Sequence, residues 1–173
     1  MRRVKKSLIY VSTQFDARRM VNEYMSQLYQ PAHESYTRLR RGNFQEAREL
    51  AKWTARVREV WDKVRFVETG PGPIGAVISG RPVSVRAAVD LAGLKPEDVR
   101  VEVVVGRVAT DGSLEDTEVM VLPPTEQNGS VTVFAKDIVP ELTGRLGYAL
   151  RVSPNHCEDP LARPCTNLLK WGS

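Results

Sequence analysis

Midway along the chain the spacing of apolar residues changes, and a run of glycine and proline marks the change. Before "TGPGPIGAVISGRP" (Thr69 to Pro82) apolar residues recur every three or four positions. After it they recur every two. The first spacing is that of an amphipathic helix and the second that of a half-buried strand. Dense Gly and Pro sustain neither element, so the run reads as a linker or long turn. Helices gathered at one end and strands at the other predict an α+β chain, not the alternating order that builds a parallel sheet. The expected division is a helical segment over 1–63 and a β-sandwich over 64–173.

About three helices are expected in the first part. Arg2 to about Ser12 is amphipathic, with Val4, Leu8, Ile9 and Val11 on one side. Asp16 is placed to cap a second helix, its carboxylate accepting from first-turn amides. "ARRMVNEYMSQLYQP" then puts Met20, Val21, Tyr24, Met25, Leu28 and Tyr29 on one face, and Pro31 is expected to end the helix. A third helix is predicted from about Asn43 to Asp62. Its expected buried stripe is Phe44, Ala47, Leu50, Ala51, Thr54, Val57, Val60 and Trp61, with Arg48, Lys52, Arg56 and Glu59 on the polar side.

The second part carries six or seven short strands. They are "VRFVET" (64–69), "PVSVRAAVDL" (82–91), "DVRVEVVVG" (98–106), "EVMVLP" (118–123), "SVTVFAKD" (130–137), "YALRVSP" (148–154) and "TNLLKW" (166–171). Turn signals separate them, among them "AGLKPED", "TDGSLED", "EQNGS" and "ELTGRLG". Short alternating strands at this spacing predict an antiparallel, immunoglobulin-like sandwich, with Tyr148 in the position of a tyrosine corner.

Charge is unevenly spread. Residues 1–70 hold 15 Lys/Arg and 8 Asp/Glu, and residues 71–173 hold 10 and 13, so the halves carry +7 and −3. A basic half raises nucleic acid as a partner. The bases are mixed with acids around helices, and aromatics do not interleave with them as a stacking platform needs, so nucleic acid is not expected. No run of about 18 apolar residues exists, which excludes a spanning helix. "MRRVKKSLIYVSTQF" opens like a signal peptide, but its apolar stretch is short, interrupted and without a small-residue cleavage site. The expectation is a cytoplasmic chain whose two cysteines stay reduced.

No local motif carries chemistry. Gly70, Gly72, Gly75 and Gly80 could suggest a phosphate cradle, but Pro71 and Pro73 remove amides and a strand follows instead of a helix. Asp111, Glu115, Asp116 and Glu118 cluster near a hairpin without the ligand order of a calcium loop. Asn128-Gly129-Ser130 matches a glycosylation sequon and is also a hairpin turn. His33 lies just past the expected helix end, outside any nucleophile motif. "SPNHCEDPLARPC" (Ser153–Cys165) gathers His156, Cys157 and Cys165, with Glu158 or Asp159 as a weak fourth ligand, at a spacing that fits no common zinc site. It is expected to be a stiff loop between the last two strands. No catalytic, cofactor-binding or metal-binding residue is assigned.

A longer ordered pattern does carry information. "RRVKKSLIYVSTQFDARRMVNEYMSQLYQPA" (Arg2–Ala32) resembles the closing helices of the α-glucan (glycogen/maltodextrin) phosphorylase family, at Lys6, Ser7, Phe15, Asp16, Arg18, Arg19, Met20, Val21, Tyr24 and Tyr29. "ARELAKWTARVREVW" (47–61), "SVRAAVDLAGLKPEDVRVEVVVG" (84–106), "GRLGYALRVSP" (144–154) and "LLKW" (168–171) resemble the β-rich extension of its short bacterial branch. The resemblance implies a glycosyltransferase family that uses pyridoxal phosphate, held as a lysine Schiff base, to move a glucosyl unit between an α-1,4-glucan and phosphate. The family's lysine motif and its phosphate and substrate contacts lie upstream of the matched region. The resemblance thus implies no cofactor in this chain and a C-terminal portion of the enzyme without activity of its own: a truncated reading frame, a split gene product or an engineered piece.

Expected partners are a phosphorylase catalytic core or a second copy of the chain, against the apolar face of residues 20–29, and α-glucan. Sugar binding calls for exposed aromatics. The β half offers Phe66, Phe134, Tyr148 and Trp171, most of them expected in the core, so a contact role is favoured over sugar binding. The sandwich, 65–173, is expected to fold alone, and residues 1–40 to be less stable or to self-associate.

Overall fold

The computed structural model describes residues 17–70, 82–142, 144–156, 165 and 167–172. They fall into two units, divided between Ala51 and Lys52. The expected helix at Arg2–Ser12, the Asp16 cap and most of the Gly/Pro run lie outside the described residues.

In the first unit, α1 (Ala17–Tyr24) continues through a π turn (Met25–Tyr29) into α2 (Gln30–Val60). Pro31 therefore does not end the helix. Proline lacks an N–H, and its ring crowds the carbonyl four residues back. The wider turn lies immediately before it, closed by Gln30 N–H donating to the Met25 carbonyl. Such single wide turns absorb an interruption that would otherwise break the ladder. The real break comes later. Arg41 is extended, and Gly42, Asn43 and Phe44 are left-handed, with φ of 56°, 56° and 64°. The break separates helical residues 30–40 from 45–60. Arg38 Nε and Glu46 Oε1 pair across it at 2.8 Å. Along α1 and the π turn, Met20, Val21, Tyr24, Met25, Leu28 and Tyr29 are all 46–62% exposed.

In the second unit the last turns of α2 bury Trp53 and Val57. Trp61 follows in a 3-10 turn (Trp61–Lys63). This i, i+4, i+8 row corrects the expected stripe. Phe44 falls in the left-handed break and Ala51 is exposed, while the large indole of Trp53 turns inward.

Among the described residues eight strands follow: β1 (Arg65–Gly70), β2 (Val83–Asp90), β3 (Val99–Val108), β4 (Leu114–Leu122), β5 (Pro124–Asn128), β6 (Val131–Ile138), β7 (Leu146–Pro154) and β8 (Lys170–Gly172). They form two antiparallel four-stranded sheets, β1-β2-β6-β5 and β4-β3-β7-β8. β5 has no counterpart among the expected strands, because Pro123-Pro124 reads as a breaker. Pro124 is tolerated as the first residue of an edge strand. Alternation survives where one face is buried. Val85, Ala87 and Val89 of β2 share a face with Thr132, Phe134 and Ile138 of β6, and Val101 and Val103 of β3 pair with Val152 and Leu150 of β7. Thr132 is 1% exposed and its Oγ1 has no hydrogen-bond partner.

Two glycines are required by close approach. Gly106 and Gly147 face each other across β3 and β7. A Cβ on Gly106 would lie 2.8 Å from the Glu115 carbonyl oxygen, and one on Gly147 would lie 2.8 Å from a Val108 methyl. β4 is irregular beside them: register shifts between Val105 and Arg107, where Asp116 is left-handed and pairs with Arg107. Register also shifts at Phe66/Glu68 in β1 and at Pro124/Glu126 in β5.

Candidate functional site

Two constellations in the second unit hold more chemistry than their surroundings. The first joins α2 to the start of β3. The 3-10 turn Pro96–Asp98 delivers a carboxylate that is 6% exposed. Its Oδ1 accepts from Trp53 Nε1 at 2.6 Å. Its Oδ2 accepts from Arg56 Nη2 at 3.0 Å and from the Lys95 amide at 2.9 Å. Three donors satisfy a charge that would be costly to bury alone. While the indole edge donates to Asp98, one face of the ring is covered: His156 stacks on it, ring centroids 4.6 Å apart. Asn155 completes the junction, donating its amide to the Asp98 carbonyl at 2.8 Å and accepting from Arg100 Nη2 at 3.0 Å. The Asp98 carboxylate is committed to the Trp53, Arg56 and Lys95 donors, which describes a clamp between helix and sheet.

The second constellation is a cleft of about 300 Å³ beside β1 and β8, lined by Asp62, Arg65, Phe66, Glu68, Thr69 and Trp171, among others. Lys170 Nζ fixes its base by donating to the Asp62 and Val64 carbonyls at 2.8 and 2.7 Å. Trp171 is 53% exposed. The Arg151 guanidinium lies over its ring at 5.8 Å from the centroid, and Arg151 Nε donates to Glu102 Oε2 at 2.7 Å. Glu102, Arg151 and Trp171 are cross-strand partners on β3, β7 and β8, so one row runs across three strands of the sheet.

The residues considered from sequence are scattered. His33 is exposed on α2, Cys165 is buried with φ of 65°, and Cys157, Glu158 and Asp159 lie outside the described residues. Among the described residues no group of three or more His, Cys, Asp or Glu side chains comes together. Asp111 accepts from the Ser113 hydroxyl at 2.6 Å and the Ser113 amide at 2.9 Å, which together hold its carboxyl below the usual range. Gly129, with φ of 63°, turns the β5–β6 hairpin. Of the four aromatics, Phe134 is core, Phe66 and Tyr148 are half-buried, and burial pushes the Tyr148 phenol up. Trp171 is the one at the surface. Sequence reading missed Trp53 and Asp98. The four-residue spacing of Trp53, Val57 and Trp61 was a usable signal. Asp98 sits in a Pro-Glu-Asp turn that reads like any solvated one.

Residues 61–166 match the glycogen phosphorylase C-terminal domain family. The glycogen phosphorylase of Mycobacterium tuberculosis (strain ATCC 25618 / H37Rv) is 34% identical over 142 residues, which is 81% of this chain and 16% of that protein. The maltodextrin phosphorylase of Thermococcus litoralis is 31% identical over 174 residues, 97% of this chain and 20% of that protein. The chain thus spans a fifth or less of the length of these relatives.

Proposed function

The chain belongs to the glycogen phosphorylase C-terminal domain family, and from that premise we propose that it serves as the non-catalytic C-terminal portion of an α-glucan phosphorylase. The enzyme as a whole would cleave α-1,4-glucan with phosphate to release glucose 1-phosphate. This portion would contribute structure and contact, not chemistry. The observation that carries the reading is the helix face of Met20, Val21, Tyr24, Met25, Leu28 and Tyr29. Six large apolar side chains lie half in water on one side of one helix. An apolar strip of this kind marks a surface that another surface covers. Burying a Leu or Met side chain contributes about 1.5–3 kcal/mol, so covering the strip outweighs the entropy of fixing one helix. The occupant we assign is a phosphorylase core, because four fifths or more of each relative's length lies outside the matched portion.

Among the described residues, the lysines do not fit the family's pyridoxal phosphate. Lys52, Lys63, Lys95 and Lys136 are exposed, and Lys170 is committed to two carbonyls. None is set in a water-poor pocket that would favour an imine.

The strand orders β1-β2-β6-β5 and β4-β3-β7-β8 support an immunoglobulin-like sandwich, with β1, β2, β6 and β5 in the places of A, B, E and D and β3 and β7 in those of C and F. With residues 2–12 helical, the segment ahead of it would hold three helices.

The test is to read the coding sequence beside that of this chain and to co-express any phosphorylase core it encodes. We expect a stable complex that Tyr24→Asp or Leu28→Asp disrupts. A neighbouring sequence without a core, a core that ignores this chain, or a chain that covers the strip only by pairing with itself would overturn the assignment.

A further inference from the structure

We propose that the cleft beside β1 and β8 is a carbohydrate-binding site, in which a glucan chain lies against the indole of Trp171. Three observations converge on it. First, the tryptophans divide sharply: Trp53 and Trp61 are 7% and 3% exposed, whereas Trp171 is 53% exposed. An indole left open beside a concavity offers the flat apolar face that the C–H side of a sugar ring covers, with an N–H for its hydroxyls.

Second, the ring is held before any ligand arrives. Glu102 fixes Arg151, and Arg151 lies over Trp171, so the row across β3, β7 and β8 restrains an otherwise free side chain. Restraint of this kind reduces the ordering cost of binding.

Third, the polar lining suits a neutral polyol. Asp62 and Glu68 supply acceptors, Arg65 supplies donors, and Thr69 supplies both. The charges of both signs are interspersed. A phosphate or nucleic acid would call for a basic cleft, and a cationic ligand for an acidic one. Sugar hydroxyls, which donate and accept together, use both kinds of group at once.

That the carbohydrate is an α-1,4-glucan rests on the phosphorylase reading; that it is a carbohydrate rests on the cleft. The site would tether the polymer.

The test titrates maltoheptaose at millimolar concentrations into the full chain while tryptophan fluorescence is followed. Because two of the three indoles are buried, a saturable change reports on Trp171. Trp171→Ala should weaken binding about tenfold or more, judged by calorimetry, and Trp171→Phe should retain part of it. Arg151→Ala, which frees the ring, should weaken binding less than Trp171→Ala. Thermal melts of the variants establish that they fold. A wild-type chain that shows no saturable binding, or binding that Trp171→Ala leaves within twofold, overturns the proposal. Failure here with a phosphorylase core still engaged leaves the family role standing. Glucan binding without any engaged core leaves the cleft standing and removes that role.

Discussion

Replacing Asp98 by Asn tests whether the helix-to-sandwich clamp is held by charge or only by shape. The carboxylate accepts from Trp53, Arg56 and Lys95 and is 6% exposed. An amide is isosteric but has one acceptor. With its NH2 group facing Trp53, two donors meet at a separation of 2.6 Å. With the group turned round, it faces Arg56 and the Lys95 amide instead. Either way a buried donor loses its partner, at about 1–3 kcal/mol, and the remaining bonds lose charge assistance. The Arg56 share is small, because its side chain is 51% exposed and solvent screens it. The expected loss is about 2–4 kcal/mol. At about 2.1 cal/mol/K per residue, a unit of roughly 120 residues has an unfolding entropy near 0.25 kcal/mol/K, so Tm should fall by about 8–16 °C. Near-ultraviolet circular dichroism reports the melt through the buried indoles. A double-mutant cycle with Trp53→Phe isolates the pair: the single change should cost about 1–2 kcal/mol, and the coupling should be about 1 kcal/mol or more. A D98N loss under about 0.5 kcal/mol, or strict additivity in the cycle, would refute the clamp.

Other outcomes follow from features elsewhere in the second unit. Thr132→Val removes a buried hydroxyl that has no partner and keeps the shape, so urea unfolding should show a gain of about 1 kcal/mol. Gly106→Ala should destabilise more than Gly147→Ala in the same assay, because its Cβ meets a backbone carbonyl at 2.8 Å instead of a side-chain methyl that can shift. Asp111 titrates below its ordinary value of 3.8, chiefly through the Ser113 hydroxyl, so its contribution to the hairpin is present above that value and lost as pH falls through the lowered one; NMR titration of Ser113→Ala should move the carboxyl back up. A piece covering 52–173 should melt well above one covering 64–173, since the shorter one strips Trp53, Val57 and Trp61 from the unit.

Strand existence was legible because period two is imposed wherever one face is buried. β2, β3, β6 and β7 sit at the centres of their sheets, and their valines alternate accordingly. Edges were less legible. β5 begins at a proline and is exposed along its length, so no burial enforces a pattern there. β4 begins at Leu114, earlier than its alternation suggests, because the bulge around Asp116 breaks the count. Pro31 misleads for a related reason: local stereochemistry argues for a helix end, but a wide turn over five preceding residues relieves it. The clamp was hidden by its long-range nature. Nothing local distinguishes Asp98 from a solvated turn acid until Trp53, 45 residues away, arrives beside it. Most of Phe66, Phe134, Tyr148 and Trp171 were expected in the core on the usual fate of aromatics; Trp171 is the exception, on a three-residue strand at the sheet margin that is too short to bury it.

The four margins of the two sheets have something in common. β1 and β5 each carry a register shift, β4 bulges at Asp116 over the paired glycines, and β8 is only three residues long. A growing fibril needs a long, flat row of free amides and carbonyls onto which the next strand can add. None of these margins offers one. A module rich in valine strands can thereby coexist with its own copies at high concentration, its sheets unable to extend from one molecule into the next.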